Sequence, residues 1–214
     1  MPGLTFKVEG AQSVPYAAIP TLAFPIRIAN PSGKGRIQSI ALRCQILIEA
    51  ARRNYNAAER EGLRDLFGEP DRWSRTLRPM LWTHANLTVP EFEEEIVAPL
   101  HVACTFDLNV AAAKYFHALN DAEVPLTFQF SGTIFFRAPE GELQTQQISW
   151  SQESRFGLPA GVWKEMMDHY YPNSAWLRLN RDVFDRLAHY RMSRGVATFE
   201  EAIGELLAAV EVEA

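Results

Sequence analysis

The sequence predicts an α+β protein: an antiparallel β-sandwich, or one strongly bent antiparallel sheet, followed by a C-terminal helical segment. Three observations carry this. Over the first two thirds of the chain apolar residues alternate with polar ones, with many β-branched and aromatic side chains. Clusters of Gly, Pro, Asn and Asp punctuate the alternating runs. Beyond Pro159 the apolar period changes from 2 to 3.6. Strands followed by helices read as one domain over residues 1–214, β-rich over 1–157 with a short helix inserted near 56–67, and helical over 158–214.

The elements follow in order. Leu22, Phe24, Ile26 and Ile28 form the apolar face of a half-buried strand, with Arg27 on the other side. Asn30-Pro31-Ser32-Gly33-Lys34-Gly35 is turn chemistry, since proline pre-sets a corner and glycine accepts positive φ. A second strand then places Ile40, Leu42, Cys44, Ile46 and Ile48 on one face. Asn56 is suited to cap a short helix that turns Leu63, Leu66 and Phe67 inward and stops at Gly68-Glu69-Pro70. Leu100, Val102, Cys104, Phe106, Leu108 and Val110, all spaced by two, read as the clearest strand in the chain. Leu126, Phe128, Phe130, Ile134 and Phe136 form another, in which Gly132 marks a bulge or a close backbone approach. Ala138 to Gly141 turns the chain into a strand from Leu143 to Trp150.

In the last third, Pro159 suits a first helical position, and Trp163, Met166, Met167 and Tyr170 recur at helical spacing until Pro172. Asn180 or its neighbour opens a second helix with Val183, Phe184, Leu187 and Tyr190 inward and Gly195 as its stop. Thr198 and Glu201 have capping-box spacing for a third, presenting Ile203, Leu206, Leu207 and Val210.

Length and composition bound the function. At 214 residues, with 47% apolar and 22% charged side chains, the chain can bury a core without disulfide or metal staples, and disorder is excluded. No apolar run approaches the roughly 20 residues of a spanning helix, and Met1-Pro2-Gly3-Leu4 lacks the pattern of a secretory leader, so a soluble cytoplasmic protein without a membrane partner is expected. The net charge is −5, concentrated in an acidic middle third.

Residues able to carry chemistry have plainer readings. Cys44 and Cys104 fall on apolar strand faces and read as buried thiols. The five histidines, His84, His101, His117, His169 and His189, form no HExxH pattern. Ser131-Gly132-Thr133 lacks the nucleophile elbow, and Gly33-Lys34-Gly35 lacks the phosphate-loop spacing. Glu91, Glu93, Glu94 and Glu95 miss the ligand alternation of a calcium loop and read as a solvated edge. The arginines between Arg52 and Arg78 are interspersed with acids, which points to ion-paired surface and away from nucleic acid. No catalytic, cofactor-binding or metal-binding residue is assigned.

What remains is an aromatic and methionine-rich stretch. Trp163, Met167, Tyr170, Tyr171 and Trp176 are of the types enriched at protein interfaces, and Tyr170 and Tyr171 point about 100° apart on a helix. They are the expected contact surface of a non-catalytic interaction or assembly factor, with a protein partner and with a homo-oligomer compatible. An enzyme whose site is assembled from residues distant in sequence is the alternative.

Several segments resemble an uncharacterised bacterial family of unknown function: Phe24 to Asn30, Ile37-Gln38-Ser39-Ile40, Arg52-Arg53-Asn54-Tyr55, Leu66-Phe67-Gly68, Lys114-Tyr115-Phe116, Pro125 to Gly132 and Pro172 to Leu177. The resemblance implies an accessory role beside nickel–iron hydrogenases, with a hydrogenase subunit as the partner. A fainter likeness, over residues 125–190, is to the export chaperone SecB, in the order of a strand ending near Phe135, a helix opening at Leu158-Pro159, and Trp176-Leu177-Arg178-Leu179. It implies binding of unfolded or unassembled polypeptides.

Overall fold

A computed structural model describes residues 3–31, 36–105, 110–120, 122–138, 141–174 and 177–213. The chain forms two compact units, Met1–Ser174 and Ala175–Ala214.

In the first unit, period-2 patterning builds two antiparallel sheets. β1 (Thr5–Val8) and β2 (Gln12–Ser13) lie end to end along one side of β3 (Thr21–Ala29), whose other side pairs with β6 (Glu95–Ala103). The second sheet runs β5 (Met80–Val89), β4 (Ile37–Ile48), β7 (Glu123–Arg137). Along the free side of β7 lie β8 (Leu143–Gln147) and β9 (Glu153–Pro159), again end to end.

The two sheets face each other through the alternating positions of their strands. Phe24 on β3 is fully buried and meets Phe128 on β7 at 5.1 Å, Trp82 on β5 at 6.2 Å and Phe156 on β9 at 6.2 Å between ring centroids. Phe6 stacks on Phe130 at 4.8 Å. The expectation of an α+β fold with antiparallel sheets and a C-terminal helical segment therefore holds, and it holds as a sandwich. The alternation of the sequence does not predict β1, β2 or β9, and β2 is only two residues long. β1 is only four residues long, and the Phe156-Gly157-Leu158-Pro159 run of β9 breaks its alternation with a glycine.

Short helices bridge the strands. α1 (Ala57–Gly62) starts at Asn56, whose Oδ1 accepts from Glu59 N at 2.9 Å while Asn56 N donates to Glu59 Oε2 at 3.0 Å, a reciprocal capping box. α2 (Arg64–Phe67) ends at Gly68, with φ +73°, and α3 (Trp73–Thr76) follows. The residues expected to form the clearest strand divide differently. The strand stops at Ala103, and Val110 opens a helix, α4 (Val110–Ala118), which buries Ala112, Ala113, Tyr115 and Phe116; Phe106 and Leu108 lie outside the described residues. Apolar spacing by two continued across the boundary, but the run of small side chains Ala111-Ala112-Ala113 favours helix and overrides it. α5 (Ala160–Tyr170) follows β9 directly, with Pro159 at its N-cap, one position before the one expected.

Both thiols enter the sandwich core unpaired. Burial pushes Cys44 and Cys104 up to about 12 from an ordinary value near 9. Iodoacetamide at mildly alkaline pH should therefore leave both unmodified in the folded chain and label both in urea; rapid labelling of the native protein would show the strands opening locally. Because the folded thiols hold their protons above the pH at which unfolded thiols lose theirs, their contribution to stability is intact below about pH 9 and falls away from there to about pH 12.

The second unit is a helical hairpin. α6 (Arg181–Arg194) begins after Asn180 and ends at Gly195, in the left-handed region at φ +68°. α7 (Phe199–Glu213) opens with the expected capping box: Thr198 Oγ1 accepts from Glu201 N at 3.1 Å, and Thr198 N donates to Glu201 Oε2 at 3.4 Å.

Candidate protein-interaction surface

The expected contact surface is mostly interior. Trp163 and Met167 are each 2% exposed, and the correction has a plain cause: α5 spends its apolar stripe on packing. Trp163 stacks on Phe116 of α4 at 4.9 Å, with an interplanar angle of 15°, and meets the edge of His117. That burial depresses the His117 pKa, with nearby Lys164 acting in the same direction. Tyr170 is half-buried against the core and donates its hydroxyl to Ala17 O at 2.7 Å. Tyr171 also packs partly against the core, and Trp176 lies outside the described residues. Helical spacing marks a stripe but does not say whether the stripe faces a core or a partner.

Polar chemistry in the first unit is concentrated at a buried cluster. The Arg53 guanidinium donates through Nη2 to Glu59 Oε1, with both side chains more than nine-tenths buried. The same carboxylate accepts from Asn56 N and, at 2.9 Å, from Asn120 N, so one side chain ties α1 to the loop after α4. Beside it the Tyr55 and Tyr115 hydroxyls are hydrogen-bonded at 2.9 Å, and Tyr55 donates to Ala50 O at 2.7 Å. Both phenols are pushed up, chiefly by burial. These groups hold helices to one another; they are consumed by structure.

A shallow cleft of about 390 Å³ on the β7–β9 side gathers Glu49, Arg52, Glu123, Thr127, Arg155 and Phe156. Three of its charged groups are engaged: Thr127 donates to Glu49 at 2.8 Å, Arg52 sits 3.6 Å from Glu49, and Arg155 pairs with Glu153 at 3.1 Å. The acidic edge is likewise paired, with Arg36 reaching Glu91 at 3.1 Å and Arg27 reaching Glu95 at 2.6 Å. Among the described residues no group of three or more His, Cys, Asp and Glu is placed to hold a metal ion, and no helix is long and apolar enough to cross a membrane.

Large apolar side chains are exposed at Tyr16, Leu143 and Trp150 in the first unit and on the hairpin in the second. α6 buries none of its side chains, and Val183 and Phe184, expected to face inward, are 41% and 46% exposed. On α7 the exposed large apolar side chains are Leu206, Leu207 and Val210. Each of the two helices covers part of the other's apolar stripe. A groove of about 430 Å³ runs between Leu177, Leu179, Phe184, Leu187, Phe199 and Ile203.

These features define an α+β protein: two facing antiparallel sheets with a C-terminal helical hairpin that carries an open apolar stripe. The chain belongs to the family of unknown function DUF6084, whose model matches residues 1–214. No curated protein matches it. Among solved structures it is similar to β-glucosidase 3B from Thermotoga neapolitana in complex with α-D-glucose, at 13% identity and a TM-score of 0.25. That match covers 72% of this chain but 17% of the other, so this chain spans a small part of that enzyme's length, and the likeness carries no argument about activity.

Proposed function

We propose that this protein is a non-catalytic interaction or assembly factor whose contact surface is the α6–α7 hairpin. The single observation supporting the reading is the apolar stripe through Phe184, Leu206, Leu207 and Val210, left exposed on helices that otherwise carry charge. Solvated polar helices gain nothing from such side chains, whereas a helix-binding partner would bury them. The accessory role beside nickel–iron hydrogenases, implied by the sequence resemblance, names the first partner to look for.

The test is capture from a native-host lysate with the full chain and with a Leu206→Glu, Leu207→Glu variant. The variant should lose its partners while keeping the circular dichroism of the sheets. Undiminished recovery of every partner would remove the assignment.

A further inference from the structure

Each arginine on a strand of the sandwich is answered by an acceptor, with one exception. On β3 Arg27 reaches Glu95 at 2.6 Å, on β7 Arg137 donates to Gly141 O at 2.9 Å, and on β9 Arg155 pairs with Glu153 at 3.1 Å. Arg43, midway along β4, is exposed, and its guanidinium makes neither an ion pair nor a hydrogen bond with any described residue.

Register sets what surrounds it. Arg43 lies opposite Asn86 on β5 and Ser131 on β7, so the three side chains form one row across the outer face of the second sheet. In the next row Thr88 stands opposite Ala41. Neighbouring side chains on this face are spent on one another: His84 meets Gln45 at 3.2 Å, and Gln147 donates to Thr133 at 3.1 Å. The Asn86 and Thr88 side chains, like that of Arg43, make no hydrogen bond among the described residues, and the Ser131 hydroxyl only reaches Arg43 O at 3.5 Å. Between these groups is a depression of about 580 Å³, open because Ala41 carries a methyl and Gly132 nothing. Arg43 is the one charged residue in its lining.

These groups select a ligand chemistry. A guanidinium presents a planar fork of donors that matches a carboxylate. One unopposed positive charge balances a monoanion, whereas a phosphate dianion would stay half-neutralised. The Asn86 amide and the Thr88 and Ser131 hydroxyls both donate and accept, as the hydroxyls of a ligand do, while the oxygens of a phosphate dianion only accept. Adjacent strands lie about 4.8 Å apart, so donors on three of them span about 10 Å, the reach of one small molecule. We infer that this depression binds a small hydroxylated monocarboxylate, with the carboxylate on Arg43 and the hydroxyls on Asn86, Thr88 and Ser131. The site belongs to the sandwich and stands or falls apart from the reading of the hairpin.

The test titrates the isotope-labelled full chain with gluconate, acetate, sorbitol and inorganic phosphate and follows amide and guanidinium resonances by NMR. Gluconate should saturate and shift Arg43, Asn86 and Ser131 together. Acetate, which lacks the hydroxyls, and sorbitol, which lacks the carboxylate, should each bind about 10-fold or more weaker. Arg43→Gln should weaken gluconate by about 10-fold or more, with Arg43→Lys in between, because an ammonium keeps the charge and loses the fork. Asn86→Ala with Ser131→Ala should weaken gluconate and leave acetate unchanged. The substituted side chains are exposed, so thermal midpoints close to the native one certify that the variants fold. Gluconate that gives no saturable shift overturns the inference, as does gluconate binding indifferent to Arg43→Gln. In the native chain, acetate, sorbitol or phosphate binding as tightly as gluconate overturns the assignment of a hydroxylated carboxylate.

Discussion

Glu59→Ala should destabilise the sandwich unit by about 3–5 kcal/mol, a large share of what holds a domain of this size together. The reason lies in what the carboxylate leaves behind. Arg53 sits beneath the Tyr55 ring with its side chain 7% exposed, and among the described residues Glu59 is the one carboxylate paired with it. Removing Glu59 strands a guanidinium out of reach of water and at the same time frees the Asn56 and Asn120 amides. Glu59→Gln keeps an acceptor but not the charge, and should fall between wild type and Ala. The paired replacement Arg53→Met, Glu59→Leu should regain most of the loss, because an apolar pair carries no desolvation penalty. Urea unfolding of the four proteins measures this. A loss below about 1 kcal/mol for Glu59→Ala would mean that water reaches the pair after all.

Gly132→Ala should cost about 3 kcal/mol or more, and it acts through backbone geometry alone. Gly132 has φ +134°, and a Cβ there would lie 2.0 Å from the Ala41 carbonyl oxygen and 3.2 Å from Leu42 Cα. Both atoms belong to the paired strand, where Leu42 faces Gly132, so no side-chain rotation relieves the contact and β4 must part from β7. Gly161→Ala is the control. It lies in α5 with nothing within 4 Å of the added carbon, and should be neutral or stabilising by up to about 1 kcal/mol. Equal thermal unfolding midpoints for the two variants would contradict the reading of Gly132 as an enforced close approach.

The two positions show how unevenly the fold is legible in the sequence. Gly132 stands out because a glycine inside an aromatic strand has few explanations other than a bulge or a close approach, and the close approach to Ala41 is what the structure holds. Asn56 as a cap and the Thr198–Glu201 box were equally visible, since capping is settled within four residues. Glu59 was not. Its role depends on Asn120, sixty-one positions away, and an isolated Glu in an acidic and basic stretch looks like any solvated side chain. The aromatic stretch in α5 failed for a related reason: Trp163 and Met167 have interface composition, but Phe116 of another helix covers Trp163, and only the assembled chain can show that. In the hairpin the failure ran the other way, with Phe184 and Val183 expected inside and found outside.

By itself the sequence determined the kinds and order of most elements, the faces of their strands and the caps of their helices. These are set by side-chain period and by hydrogen bonds that close within one turn. Tertiary structure alone decided which apolar stripes were covered, which charges were buried and paired, and where Val110 left a strand pattern for a helix. Those outcomes depend on burial against partners far along the chain, as when Val8 N finds Ser154 Oγ across 146 residues, and no local pattern encodes them.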